Sequence, residues 1–344
     1  MREMKDSGIE WLGTIPSEWT LAKYKHFSQN GMGQTILKED LVETGVPVYS
    51  ATQSDDLFGY IQSPNVLLTK GDFVIPARGN SIGSITMVKD EVATCTQTTI
   101  YSKISGIDKL FLYFCGWGFK SEWFRFDQTA IPQITVNQVN NNIVPLPNTD
   151  EQQKIASYLD QKVALIDNII EKTKQSIDEY KKYKQSLITE TVTKGLNSNA
   201  KMKDSGIEWI GEIPEHWGVT KPNRVCEVIR GNCGFQKDDL KNKGDYVSLQ
   251  YGKTYKVDEV NEDFGFYVDE TFFKENQVVL NGDTILVSTS ETMEDLGHSC
   301  YYSRSDEALL GGEQMCLKPK EIIVGKFLYY ATRYFKIELN QYAT

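Results

Sequence analysis

Sixteen residues of this chain occur twice. Met4-Lys5-Asp6-Ser7-Gly8-Ile9-Glu10-Trp11-Leu12-Gly13-Thr14-Ile15-Pro16-Ser17-Glu18-Trp19 returns 198 positions later as Met202-Lys203-Asp204-Ser205-Gly206-Ile207-Glu208-Trp209-Ile210-Gly211-Glu212-Ile213-Pro214-Glu215-His216-Trp217. Twelve of the sixteen positions are identical, including two Trp, two Gly and one Pro in register. The period is far longer than the roughly 20–50 residues of a solenoid repeat. It has the length of a domain plus a connector, so two tandem copies of one design are predicted. The 344 residues agree with that count, since domains typically span about 100–200 residues. A duplicated module points to a molecule that handles two similar objects at a fixed separation.

Landmarks after the repeat keep the same order in both copies. Short apolar runs such as Val46-Pro47-Val48-Tyr49, Phe73-Val74-Ile75 and Ser84-Ile85-Thr86-Met87-Val88 alternate with Gly, Asp, Asn and Ser turn signals, which predicts a strand-rich domain. Lys70-Gly71-Asp72 feeds one strand, and Asn281-Gly282-Asp283 feeds its counterpart, Thr284-Ile285-Leu286-Val287. Thr96-Gln97-Thr98 is matched with Glu313-Gln314-Met315, and Phe111-Leu112-Tyr113-Phe114 with Phe327-Leu328-Tyr329-Tyr330. Periodicity leaves Leu110–Cys115 open between a short helix and a buried strand. Sequence and length between the landmarks differ freely. Loops on a rigid scaffold commonly carry binding residues, so the two copies are expected to read different ligands.

One long helix is predicted between the copies. It opens at Asn148-Thr149-Asp150-Glu151 with a cap and an acidic first turn, and it closes at Lys194-Gly195. Leu159, Val163, Ile166, Ile170, Thr173, Ile177, Tyr180, Lys184, Leu187 and Thr191 recur at steps of four and three. That is a coiled-coil seam, weakened at Thr173, Lys184 and Thr191. Either the helix lies on its own domain, or it is a spacer rod that pairs with another helix. The expected layout is an α+β chain: a target domain over 1–148, the helix over 149–196, and a second, incomplete domain over 197–344.

Charge argues mildly against nucleic acid. The net charge is −10, whereas DNA binders usually show a basic footprint. Whole-chain charge does not fix local contacts, however, and a basic partner could supply phosphate contacts. The six cysteines form no CxxC pair and no metal spacing with His26, His216 and His298, so free buried thiols in a reducing cytoplasm are expected. No apolar run of about 18 residues is present, so no membrane span is expected. No phosphate loop or Asn/Asp-Pro-Pro-aromatic motif for amino methylation occurs. Gly31-Met32-Gly33 and Gly116-Trp117-Gly118 lack a third glycine and read as turn or packing glycines. No catalytic or metal site is expected.

Three features together resemble one family. They are the repeated Ser-Gly-Ile-Glu-Trp opening, Pro145-Leu146-Pro147 followed by Glu151-Gln152-Gln153-Lys154-Ile155-Ala156, and Tyr183-Lys184-Gln185-Ser186-Leu187-Ile188 leading to Thr193-Lys194-Gly195-Leu196. The chain resembles the specificity subunit of type I restriction–modification systems over essentially its whole length. The resemblance implies a non-catalytic reader of double-stranded DNA, with each half reading one part of a split, asymmetric sequence. It implies two long helices forming an antiparallel coiled coil that fixes the spacing. It also implies docking of adenine-methylating modification subunits and, through the complex, of restriction subunits. S-adenosylmethionine, ATP and Mg would belong to those partners. This chain departs from the pattern in having one such helix, so it is expected to be truncated before the second. The unpaired seam (Leu159, Val163, Ile166, Ile170, Ile177, Tyr180, Leu187) is expected to recruit a modification subunit or a second copy of the chain.

Base readout needs Arg or Lys for guanine and Asn or Gln for adenine. In the first copy the candidates are Arg78, Asn80 and Ser81, with Gln53, Gln97 and Thr98 on nearby connections. In the second copy Ser288-Thr289-Ser290-Glu291-Thr292 replaces the Arg78 stretch, and the candidates are Arg230, Asn232, Gln250, Tyr251 and Lys253. A surface ion pair is the competing reading for Arg78. Other readings of the chain are a reserve specificity cassette and a coiled-coil scaffold without DNA reading.

Overall fold

The computed structural model describes residues 2–51, 56–126, 132–290, 292 and 295–342. Each copy of the repeat folds into the same small hairpin. Met4–Asp6 pairs antiparallel with Thr14–Pro16, and Met202–Asp204 with Glu212–Pro214. The tips are closed alike. Gly8 N donates to Asp6 Oδ1 at 3.0 Å and Gly206 N to Asp204 Oδ1 at 2.9 Å. Ser7 N and Ser205 N reach the carbonyls of Gly13 and Gly211, each at 2.9 Å. Gly8, Gly13, Gly206 and Gly211 all have φ between 63° and 71°, a region that side chains with a Cβ avoid. The identity of the repeat is therefore the identity of a turn.

The chain divides into two units, Met1–Glu171 and Lys172–Thr344, with the boundary inside the long helix. In the first unit a four-stranded antiparallel sheet runs Ser28–Met32, Thr99–Ile104, Phe73–Pro76, Thr86–Met87. In the second the corresponding order is Cys226–Arg230, Gln314–Pro319, Thr284–Val287, Ser299–Tyr302, with Glu259–Val260 added at the edge. Each unit has a further sheet in which Val46–Tyr49 pairs parallel with Thr94–Cys95, and Tyr246–Leu249 with Ala308–Leu310. Phe73–Pro76 is buried on both faces. Phe73 and Ile75 enter one core with Tyr24, Ile100 and Leu112, while Val74 enters another with Tyr49, Leu68 and Cys95. Burying a side chain of this size contributes about 1.5–3 kcal/mol.

Leu110–Cys115 lies within a helix, Lys109–Gly118. Asp108 caps it by accepting from Phe111 N at 2.8 Å, and Phe111, Leu112, Cys115 and Gly116 form its buried face. Its counterpart is Gly325–Tyr342. One pairing differs between the units. Thr20–Lys23 pairs with Ile143–Leu146 in the first, whereas residues 218–221 form no strand in the second. No strand among the described residues pairs with them.

The long helix spans Thr149–Lys194, 46 residues, or roughly 69 Å at about 1.5 Å per residue. The repeat grips each end. In the first unit Glu151 accepts from Arg2 Nη2 at 2.8 Å and from Trp19 Nε1 at 2.9 Å. Next to it, buried Gln152 donates to the Pro147 carbonyl at 2.8 Å and accepts from Asp108 N at 3.1 Å. In the second unit Gly195 sits under the Trp217 ring, and Trp217 packs on Phe327 at 6.1 Å. Asp258 there joins Lys184 of the helix to Arg333, at 2.8 and 2.5 Å. Between these anchors every residue from 160 to 184 is exposed. Ala156 enters the first core with Ile155 packed beside it, so the helix packs at its ends and is uncovered between them. Leu159 is partly covered, but Val163, Ile166, Ile170, Ile177, Tyr180 and Leu187 of the seam are exposed, Tyr180 to 73%.

All six cysteines are free and buried. Burial pushes the Cys115 and Cys300 thiols up to about 12 and Cys95 to about 11, so they are packing groups. Gly31 and Gly33 are packing glycines too. A Cβ on Gly33 would lie 2.2 Å from the Thr96 carbonyl oxygen, and one on its counterpart Gly231 would lie 1.8 Å from that of Gly311. Among the described residues no helix is long and apolar enough to cross a membrane, and no group of three or more His, Cys, Asp or Glu could hold a metal ion.

Candidate nucleic-acid interface

Three connections meet at one end of the strands in the first unit. Thr96 N donates to the Tyr49 carbonyl at 3.0 Å, and Ala77 N to the Thr98 carbonyl at 2.9 Å. Ser81 Oγ donates to the Ala51 carbonyl at 2.8 Å. The segments after Val46–Tyr49, Phe73–Pro76 and Thr94–Cys95 are thereby tied together. Ala77 also accepts from Ile134 N at 3.0 Å, and Arg78 bridges Gln133. Arg78 and Asn80 are exposed. Ser81 is 5% exposed with its hydroxyl committed to Ala51, so it holds the loop rather than pointing outward. Gln97 is exposed and accepts from Thr35 Oγ1 at 2.8 Å; Thr98 Oγ1 is 2.9 Å from Thr96 Oγ1. Gln53 lies outside the described residues.

The second unit repeats this convergence with different bonds. Gly311 N donates to the Leu249 carbonyl and Ser288 N to the Glu313 carbonyl, both at 3.1 Å. Tyr251 OH lies 3.2 Å from Ser290 Oγ, joining the two loops that Ser81 and Ala51 join in the first unit. The pairing also corrects one correspondence. Val287 pairs with Gln314 as Pro76 pairs with Thr99, so Thr96-Gln97-Thr98 is matched by Gly311-Gly312-Glu313, two residues earlier than the sequence pattern places it.

Gln250, Tyr251 and Lys253 share one short helix, Tyr251–Thr254, with Gln250 at its start. Its fully buried Thr254 donates to Gln314 Oε1 at 2.5 Å, and Gln314 Nε2 donates to the Leu249 carbonyl at 2.6 Å. Tyr251 stacks on Tyr255 at 5.3 Å, Lys253 Nζ lies 4.4 Å from the Phe266 ring centre, and Lys256 Nζ lies 5.4 Å from that of Tyr255. Tyr255 and Lys256 were not among the sequence candidates. The Tyr-x-x-x-Tyr spacing signals Tyr255, because residues four apart share a helix face. Lys120 and Arg125 were also missed. They line a cleft of about 680 Å³ beside Ile82, with Phe124 and Gln138.

Arg230 and Asn232 flank Gly231, which abuts Gly311. Both are exposed. A glutamine clamps this corner in each unit, from opposite sides. Gln34 Oε1 accepts from Asn65 N at 2.6 Å and Val66 N at 2.9 Å. Gln277 Oε1 accepts from Asn232 N at 2.8 Å, and its Nε2 donates to the Arg230 carbonyl at 3.3 Å. Lys274 Nζ donates to Asn232 at its carbonyl, 2.7 Å, and at Oδ1, 3.0 Å. All the described candidates of the second unit, and Arg78, Asn80, Gln97 and Thr98 of the first, thus stand on convergent strand ends.

Comparison with known proteins identifies the frame. The profile of the type I restriction modification DNA specificity domain matches residues 16–179 and again 214–343. The type I restriction enzyme MjaVIII specificity subunit of Methanocaldococcus jannaschii is 24% identical, over 95% of this chain and 78% of its own length. A solved chain from work on complex assembly and conformational transition of the type I R-M system superposes with a TM-score of 0.66 at 14% identity, covering 95% of this chain and 82% of that one. The HsdS subunit of Thermoanaerobacter tengcongensis superposes with a TM-score of 0.53, also at 14% identity and with the same coverage. The duplicated sheets and the long helix are the fold of those structures, and the chain belongs to the family of type I restriction–modification DNA specificity subunits.

Proposed function

We propose that each unit reads one part of a two-part, asymmetric duplex DNA sequence through its converging strand-end loops. The observation that carries this reading is that one frame, repeated, presents chemically different side chains at the same strand ends. Arg78 and Asn80 are exposed in the first unit; Arg230 and Asn232 are exposed in the second, with Tyr251 and Lys253 half-buried on the short helix. Arg suits guanine and Asn suits adenine in the major groove. The chain itself supplies recognition. Adenine methylation and ATP-dependent cleavage, with S-adenosylmethionine, ATP and Mg, belong on this reading to modification and restriction subunits.

The exposed seam from Val163 to Tyr180 supports a helix-pairing role. Its partner is a helix of the modification subunits or of a second copy. Light scattering over a concentration series, with and without a modification subunit, reads this directly. A mass equal to one chain under every condition would rule the pairing out.

Selection from a randomised duplex library by gel shift, with and without a modification subunit, tests the function. The expected result with the modification subunit is enrichment of one two-part sequence. Retention of the modification subunit without any sequence enrichment would leave the chain as a scaffold.

A further inference from the structure

We infer that Glu313 is a specificity-determining residue of the second unit, and that its carboxylate accepts a hydrogen bond from the N4 amino group of a cytosine. This rests on the reading of the strand-end loops as the DNA face. Glu313 stands where Thr98 stands in the first unit: Ser288 N donates to its carbonyl at 3.1 Å as Ala77 N does to that of Thr98 at 2.9 Å. Its φ is 64°, and among the described residues it is the one residue other than glycine in the left-handed region. Such strain persists only where the surroundings over-determine the backbone, and it gathers at functional sites.

The surroundings do over-determine it. Gln314, next in sequence, is fully buried, and its amide is held at both ends by Leu249 and Thr254. The Gln314 carbonyl accepts from Gly231 N at 2.9 Å. On the other side a Cβ on Gly311 would lie 2.6 Å from the Leu249 carbonyl oxygen, so that strand end cannot shift. Two glycines precede this position, yet the strained position itself carries an acid. Its side chain is exposed and makes no hydrogen bond or ion pair with any described residue. A carboxylate is repelled by phosphates, so it does not serve general DNA affinity. At base edges in the major groove, guanine and thymine present acceptors, adenine a donor beside an acceptor, and cytosine a donor. An unpaired carboxylate on a fixed backbone therefore selects cytosine and penalises the others.

The test selects bound sequences from a randomised duplex library with the chain assembled with a modification subunit. Wild type, Glu313→Gln and Glu313→Gly are compared, and thermal unfolding is recorded for each. The wild type is expected to demand a cytosine at one position of one half-sequence. Glu313→Gln should weaken that demand about tenfold or more, leave the other half unchanged, and bind random duplex at least as well as wild type. Glu313→Gly should do the same while raising the unfolding midpoint, since glycine tolerates φ > 0. A purely structural Glu313 would instead give a lower midpoint and weaker binding to every sequence. Unaltered selection by both variants, or loss of both half-sequences, overturns the inference. If the wild type selects no sequence at all, the underlying DNA-face reading fails first.

Discussion

Asp90 of the first unit and Arg304 of the second hold equivalent places with opposite charge. Each lies two residues beyond the residue, Val88 or Tyr302, whose N–H donates to the carbonyl of Asp72 or Asp283, at 2.8 and 2.9 Å. Asp90 accepts from Tyr49 OH at 2.8 Å. Arg304, 3% exposed, makes a two-pronged pair with Asp306 at 2.6 and 2.7 Å, and its Nη1 donates to the carbonyls of Asn261, Glu262 and Phe264. The same holds for the clamping glutamines and for the loop ties Ser81–Ala51 and Tyr251–Ser290. Backbone pairing and the side-chain caps of the turns are common to the units, and these longer-range side-chain cross-links are private to each. A frame fixed by backbone hydrogen bonds and apolar packing leaves polar side chains free to diverge between its two copies.

The comparison makes graded predictions. The largest effect is expected for Arg304→Ala. The guanidinium is buried although Asp306 is about half exposed; its loss strands the carbonyls of Asn261, Glu262 and Phe264, each at about 1–3 kcal/mol where buried, and calorimetry should show the loss in the unfolding of the second unit alone. Equal destabilisation of both units would mean that the cross-links are not private. Next are Gly33→Ala and Gly231→Ala, each forcing a Cβ against a backbone carbonyl. Overpacking of this kind costs about 1–3 kcal/mol. Chemical denaturation should show a loss in each variant, because this contact belongs to the shared frame. Arg78→Ala is expected to leave the fold intact and to lose about 1–3 kcal/mol of base discrimination in one half-sequence. Uniform weakening on all sequences would make Arg78 a phosphate contact.

The smallest effect concerns the anchor of the long helix. Burial alone would raise the Asp258 carboxyl, but hydrogen bonds from Arg333 and Lys184 more than reverse this and hold it at about 2. The unfolded value is about 3.9. The carboxyl is depressed in the folded state, so its contribution is complete above pH about 4 and is lost as pH falls through about 2. Asp258 and Lys184 are about half exposed, so solvent screening keeps the contribution to about 1 kcal/mol or less. Asp258→Asn should abolish that pH dependence and speed amide exchange in residues 184–194. Exchange unchanged from wild type at neutral pH would show that Trp217 and Phe327 hold the helix end unaided.

Sequence carried the frame further than the site. The repeat announced the duplicated frame, though not the hairpin that each copy forms, and the helix was legible because its steps of four and three persist from Leu159 to Thr191. The seam's weak position at Lys184 has a cause invisible in sequence: its amine is bound to Asp258. Leu110–Cys115 was undecidable because a short apolar run suits helix and strand alike; the Asp108 cap settles it. The register of 311–313 was misplaced by a matching Gln, since Gln97 is exposed and Gln314 fully buried. Ser81 read as a donor on a polar loop, yet its bond partner, Ala51, lies 30 residues away. Long-range pairings of this sort leave no local pattern.

The central claim is that the strand-end loops, not the frame, hold the sequence preference. Exchanging 77–83 and 96–98 for the equivalent loops of another specificity subunit, with the strands untouched, tests it most directly. Selection from a randomised duplex library should then return a two-part sequence in which one half has changed and the other is that of the original chain. An unchanged sequence, or a change in both halves, would contradict the account.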